Sequence, residues 1–223
     1  MQEIVSVSAE YEEEAVDAVI KDNTIIPGKS GKKVNDRESY LRMNEFGSFN
    51  KLFLVFDKVK PNISLYDNLD KYIIKGNDSG SVSIIVDSNK YNEFFDKENI
   101  SYFKVVLSNE EEIDINNSIN GFNNEKDFNK LNRLYKKNKI KYPICISDYS
   151  NINLCLKNKY FLVRPSLYVS KNNIGSFKSS ISGGDIVFLS SSLSLSEVKY
   201  IINTIKYFKY SIVKLDSFIK EWK

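Results

Sequence analysis

The sequence predicts an α/β fold: a mostly parallel sheet of about six to seven strands with helices on both faces. Three observations predict it. Short apolar runs of strand length recur from residue 51 onward. Amphipathic helical stripes lie between them. Most of the runs are near-continuously apolar, as strands covered on both faces must be. An open doubly wound sheet is favoured over an incomplete barrel.

Residues 1–50 differ from the rest of the chain. Residues 3–22 are crowded with acids, among them Glu10, Glu12, Glu13 and Glu14, and Ala15, Val16, Val19 and Ile20 have helical spacing. The stretch IIPGKSGKKVNDR reads as a loop. A charged N-terminal arm over 1–50, helix plus loop, is therefore expected to precede a single α/β domain over 51–223.

Within that domain the candidate strands are KLFLVFD (51–57), SVSIIVD (81–87), SYFKVVL (101–107), YPICIS (142–147), KYFLVRP (159–165), DIVFLSS (185–191) and YSIVKL (210–215). Each is rich in β-branched and aromatic residues. Three helices fall between them. Tyr91, Phe94 and Phe95 share one stripe, Phe128, Leu131, Leu134 and Tyr135 a second, and Val198, Ile201, Ile202, Ile205 and Phe208 a third. Ser194 or Ser196 could cap the last, and Asp87 or Ser88 the first. Two long loops, near 108–125 and 166–184, interrupt the alternation.

Composition excludes much chemistry. The 223 residues include no histidine, and the net charge is +3. Ser-His-Asp and Cys-His catalysis, histidine-bound zinc and imidazole pH sensing are all ruled out. Cys145 and Cys155 are too few for a disulfide framework and read as buried small hydrophobes. With no long apolar stretch, the expectation is a reduced, cytoplasmic protein without a membrane segment. Heavy use of Lys, Asn and Ile suits an AT-rich genome, and a viral or phage source is among those expected.

Motif searches are mostly negative. Gly28-Lys29-Ser30 lacks the glycine that a phosphate loop needs five residues earlier, where Asn23 stands. Neither glycine pair before a strand forms a dinucleotide fingerprint, and there is no G-x-S-x-G elbow.

One constellation stands out. Predicted strands end at Asp57, Asp87 and Asp148, a later one at Asp216, and another at Arg164. Parallel strands finish at one edge, where α/β proteins bind ligands. Asp57, Asp87 and Asp148 could act as acid/base groups or hold Mg²⁺ or Mn²⁺, which take oxygen ligands. Arg164, Ser190 and Asp216 could bind the substrate, with Arg164 gripping a phosphate. The competing reading makes the same aspartates turn and cap residues.

The function expected first is a metal-assisted enzyme acting on a nucleotide or other phosphorylated small molecule. The second is a non-catalytic α/β subunit or adaptor with a protein partner, for example in a viral or phage assembly. The third is non-specific nucleic-acid binding through the C-terminal third, where eleven basic residues face four acidic ones over 157–223.

Overall fold

In the computed structural model, which describes residues 2–108 and 113–221, the chain is α/β and its sheet is mostly parallel. The sheet is curled into a half-barrel and has more strands than the sequence predicts. The chain begins with α1 (Gln2–Tyr11), β1 (Val19–Lys21), β2 (Thr24–Ile26), β3 (Gly31–Val34), α2 (Asp36–Phe46), β4 (Phe56–Val59) and β5 (Tyr72–Ile73). It continues through β6 (Ser81–Val86), α3 (Asn92–Lys97), β7 (Phe103–Val106), β8 (Ser118–Asn120), α4 (Glu125–Lys137), β9 (Ile144–Ile146), α5 (Ile152–Lys157) and β10 (Phe161–Val163). It closes with β11 (Leu167–Val169), α6 (Phe177–Ser180), β12 (Ile186–Leu189), α7 (Leu195–Tyr207), β13 (Ser211–Ile212) and α8 (Leu215–Ile219).

The large sheet runs β1, β2, β5, β10, β9, β8, β7, β6, β12, β11, with β13 beside the start of β6. Every pairing from β2 to β11 is parallel. Curling brings distant strands together. Only Arg164, Pro165 and Ser166 separate β10 from β11, so one bent stretch pairs first with β5 and then with β12. Lys75 and Asp185 form a backbone bridge and an ion pair of 3.2 Å at this seam, and the Ser166 amide donates to the Ile186 carbonyl at 3.0 Å.

The alternation of side chains explains the unbroken apolar runs. Ile85, Val105, Ile119, Ile146, Val163 and Phe188 fill the inside of the curl, plugged by Leu215 and Phe218 of α8. The alternate positions of β6 and β12 pack against α3 and α7. Those of β7, β9 and β10 pack against α4 and α5. On α7, Val198, Ile201, Ile202 and Ile205 are buried, and together they contribute roughly 6–12 kcal/mol before entropy is counted. Ser194 and Glu197 close that helix's start with a capping box.

Four helices end alike. Asn99, Lys139, Lys159 and Lys209 take left-handed φ of 51°, 57°, 58° and 61° after α3, α4, α5 and α7. The next residue, Ile100, Ile140, Tyr160 or Tyr210, donates its amide five residues back, to Phe95, Tyr135, Cys155 or Ile205. This is the Schellman closure, built without glycine.

Several expectations change. The run at 51–57 is not a strand of the large sheet. Asn50 caps a 3-10 turn at Lys51–Phe53, and β4 then pairs antiparallel with β3 in a separate two-stranded sheet. Around it, Ile4, Val34, Met43 and Leu54 make a small satellite core. β5 and β8 are too short and polar-flanked to read. Residues 109–112 of the loop expected near 108–125 lie outside the described residues; β8 occupies part of the remainder. The stretch 166–184 holds β11 and α6. Gly28 and Gly31 serve backbone pairing with residues 13–18, where a Cβ would sit 2.2 Å from the carbonyls of Val16 and Glu13.

The cysteines also depart from expectation. Cys145 of β9 and Cys155 of α5 are joined in a disulfide, with Cα atoms 6.4 Å apart, a normal separation for such a bond. Both are fully buried. A strand and the following helix meet only in the fold, so a spacing of ten could not announce the bond.

At the amino-terminal end of the curl, Glu221 is buried, and its carboxylate accepts from the Ser64 hydroxyl at 2.5 Å and the Leu65 amide at 2.6 Å.

Candidate functional site at the carboxyl edge of the sheet

β6 and β9 stop at the same edge, and each is followed by an aspartate. Asp87 does not cap the next helical turn; Ser88 does, accepting from the Lys90 amide. Asp87 instead accepts from the Ser191 amide at 2.7 Å, tying the end of β6 to the turn after β12. Asp148 accepts from Ser147 Oγ at 2.9 Å and lies beside the Tyr168 phenol.

Between them stands Tyr149. Its phenol is raised above the ordinary value by burial first, then by the charges of Asp87 and Asp148. Both carboxylates therefore bear on one aromatic group. Tyr149 stacks on Phe188 with centroids 5.8 Å apart, and Tyr168 lies 5.3 Å from the same ring. Phe188 points into the core and fixes both tyrosines from below. Burial, then the neighbouring Asp148 carboxylate, raises the Tyr168 phenol as well. Alongside, Tyr91 donates to the Ser190 and Leu193 carbonyls at 2.8 and 2.9 Å, and burial with the Asp87 and Glu197 charges pushes its phenol up to about 12.

The result is a patch near the end of β12 in which two tyrosines pack on Phe188 and feel the charges of Asp87 and Asp148. Neutral phenols present ring faces to an apolar surface, while the aspartates accept hydrogen bonds from hydroxyl or amide donors.

Of the other sequence-derived candidates, Arg164 and Ser190 follow strands at this same edge, while Asp57 and Asp216 lie away from it. Asp57 sits in the β3–β4 sheet and accepts from Asn35 Nδ2 at 3.0 Å. Arg164 is at the carboxyl end of β10, with its guanidinium 4.2 Å from the Tyr72 ring centroid. Ser190 Oγ accepts from the Ser192 amide within its own turn. Asp216 is in α8 at the opposite end of the curl, 3.1 Å from Lys220 Nζ, lining a cavity of about 500 Å³ with Tyr142, Lys141 and Lys214. Of the predicted set, the structure thus brings Asp87, Asp148 and Ser190 to one edge, with Ser190 in the turn that Asp87 holds. Tyr149 and Tyr168 were missed as partners of these acids. Their one legible signal is position, Tyr149 directly after the strand-end Ser147-Asp148 and Tyr168 within a strand.

A resident zinc does not fit. A catalytic zinc needs about three protein donors around an open position. The chain has no histidine, its cysteines are bonded to each other, and the described residues contain no group of three or more metal-ligating side chains. The three aspartates expected to share Mg²⁺ or Mn²⁺ do not form one site, because Asp57 lies in the separate β3–β4 sheet, away from Asp87 and Asp148.

No family model matches the chain. A stretch of 98 residues is 35% identical to the uncharacterized protein YlxY of Bacillus subtilis, covering 43% of this chain and 31% of that protein. The match thus spans under a third of the relative's length. The fold is found in BA3943, a CE4 family pseudoenzyme from Bacillus anthracis. The wild-type crystal structure matches all of this chain and 95% of its own, with a TM-score of 0.62 and 15% identity. A mutant of BA3943 with restored enzymatic activity matches at a TM-score of 0.63, covering 98% of its chain.

These likenesses correct the functional expectations. The proteins that share this fold are CE4 family pseudoenzymes, not enzymes for phosphorylated compounds, phage assembly subunits or nucleic-acid binders. The physical reasons agree. The three aspartates do not converge, and Arg164 is engaged on Tyr72. In the C-terminal third, Tyr160 and Phe177, aromatics that could have stacked bases beside those basic residues, are buried in the core. Among the described residues no helix is long and apolar enough to cross a membrane. The free thiols behind the expectation of a reducing compartment are absent.

Proposed function

We propose that this chain recognises an N-acetylated glycan at the carboxyl edge of its half-barrel and does not hydrolyse it. The observation that carries this reading is the likeness of the whole chain to a CE4 pseudoenzyme, in a sequence without histidine whose described residues hold no zinc-ligand set. Activation of water for amide cleavage needs a metal or a well-placed base, and deacetylation is beyond this set of groups. Binding is not. Pyranose C–H faces pack on tyrosine rings, and sugar hydroxyls donate to carboxylates, which is the chemistry that Tyr149, Tyr168, Asp87 and Asp148 offer. The Cys145–Cys155 disulfide supports an oxidising compartment outside the cytoplasm, where such glycans are met.

The test is titration with soluble N-acetylglucosamine oligomers, followed by tyrosine fluorescence and calorimetry, beside an assay for released acetate with and without added Zn²⁺ or Mg²⁺. Saturable binding, weakened about tenfold or more in Tyr149→Ala and Tyr168→Ala, is expected, with no acetate released. Failure of every oligomer to bind, or metal-stimulated acetate release, would overturn the reading.

A further inference from the structure

The outer face of α7 carries two tyrosines that the fold does not use. Val198, Ile201, Ile202 and Ile205 already supply its buried side. Tyr200 and Tyr207 lie on the opposite side, 43% and 71% exposed. Seven residues apart on a helix, they share one face and stand about 10.5 Å apart along the axis. A groove of about 440 Å³ runs between α6 and α7, lined by both tyrosines together with Ser196, Asn203, Lys178 and Lys199. Lys178 Nζ lies 4.9 Å from the Tyr207 ring centroid.

We propose that this groove is a second glycan-contacting face, seating an extended β-1,4-linked amino-sugar chain that bears carboxylates. The ligand class rests on the glycan reading of the carboxyl edge; the site does not overlap that edge. The spacing of the tyrosines is close to the length of one disaccharide in such a chain, so successive equivalent pyranose faces meet successive rings. Asn203, between the rings on the same face, offers a donor and an acceptor to an acetamido group. Lys178 and Lys199 supply positive charge without an acidic side chain in the groove lining, which complements a sugar carboxylate. The groove also begins beside the first site. β12 ends at Leu189 and the cap of α7 is Ser194, so the Ser196 end adjoins the turn that holds Asp87. A chain longer than the edge can accommodate would continue down the helix, and the two contacts would act at high effective concentration.

The experiment compares two probes on the full chain: N-acetylglucosamine trimer, and peptide-free glycan strands from peptidoglycan, which carry a carboxylate on alternate sugars. The Tyr200→Ala/Tyr207→Ala variant is expected to keep wild-type affinity for the trimer and to bind the strands at least about tenfold more weakly. The Lys178→Glu/Lys199→Glu variant, which leaves both rings in place, should lose affinity for strands in the same way but bind a long neutral chitin oligomer normally. This second variant decides the matter if the first does not fold. Strand binding at wild-type strength in both variants overturns the second face while leaving the first site standing, provided that Tyr149→Ala weakens the trimer. A wild-type protein that binds neither probe overturns both readings.

Discussion

Three of the four Schellman closures place a lysine in left-handed backbone, and that choice has a measurable cost. An L-residue in this conformation is about 1–2 kcal/mol less stable than in the right-handed region. Glycine avoids the clash but loses about 0.5–1 kcal/mol of extra chain entropy on folding. The difference leaves about 0.5–1 kcal/mol per site in favour of glycine. Lys139, Lys159 and Lys209 have exposed side chains, so their removal opens no core cavity. Each donates its amide to a different carbonyl, those of Lys136, Leu156 and Lys206. With no shared partner their effects should add. The triple variant Lys139→Gly/Lys159→Gly/Lys209→Gly is therefore expected to be about 2 kcal/mol more stable, which raises the Tm of a chain this size by about 4–8 °C. The assay is thermal melting by circular dichroism, backed by urea titration. The triple alanine variant is the control. Alanine retains the Cβ responsible for the clash, so it should bring no comparable gain. An unchanged or lowered Tm in the glycine variant, or an equal gain in the alanine variant, refutes the backbone-strain reasoning.

Three further outcomes are expected. Glu221→Ala strands two buried donors, Ser64 Oγ and the Leu65 amide, and should cost about 2–5 kcal/mol in urea titration; a loss under about 1 kcal/mol would mean that water replaces the carboxylate. Cys145→Ser/Cys155→Ser opens the bonded loop and should cost about 2–3 kcal/mol, while peptide mapping without reductant should recover the two cysteine peptides linked; free thiols at both positions would contradict the pairing. Burial raises the Tyr91 phenol to about 12 and those of Tyr135 and Tyr160 well above their ordinary value. The unfolded chain therefore releases these protons first, so this stabilisation is complete below about pH 10 and is lost as pH rises through the folded values. With no histidine, the Tm should be flat from about pH 6 to 8, and a step in that window would point to a titrating group other than these tyrosines.

The sequence displays the barrel's pieces better than its closure. β6, β7, β9, β10 and β12 are legible because alternate residues face two different cores, so both parities are apolar. The helices are legible because α4 and α7 each bury a single stripe. What decides a curl over an open sheet is the pairing of Lys75 with Asp185 and of Ser166 with Ile186. Those contacts are tertiary, and no local pattern encodes them. LFLVF looks like a sheet strand because a short apolar run carries no information about its partners. Asn50, whose side chain caps the turn there, is the signal that run conceals. At the candidate site, Asp87 and Asp148 can be read from strand ends. The tyrosines between them cannot, because Phe188 orients them from a strand that lies far away in sequence.

Glu221 has a further consequence for how the chain comes to be folded. The segment around Ser64 and Leu65 receives its buried acceptor from a residue 156 positions later. At about 5–20 residues per second, a ribosome takes about 8–30 s to cover that interval. During this time two donors at the base of the curl have no native acceptor, and the plug formed by α8 has not been made. Because β10 and β12, which close the curl, are made within the same interval, the turn at Ser64, the closing strands and the α8 plug come together only as the last part of the chain is added.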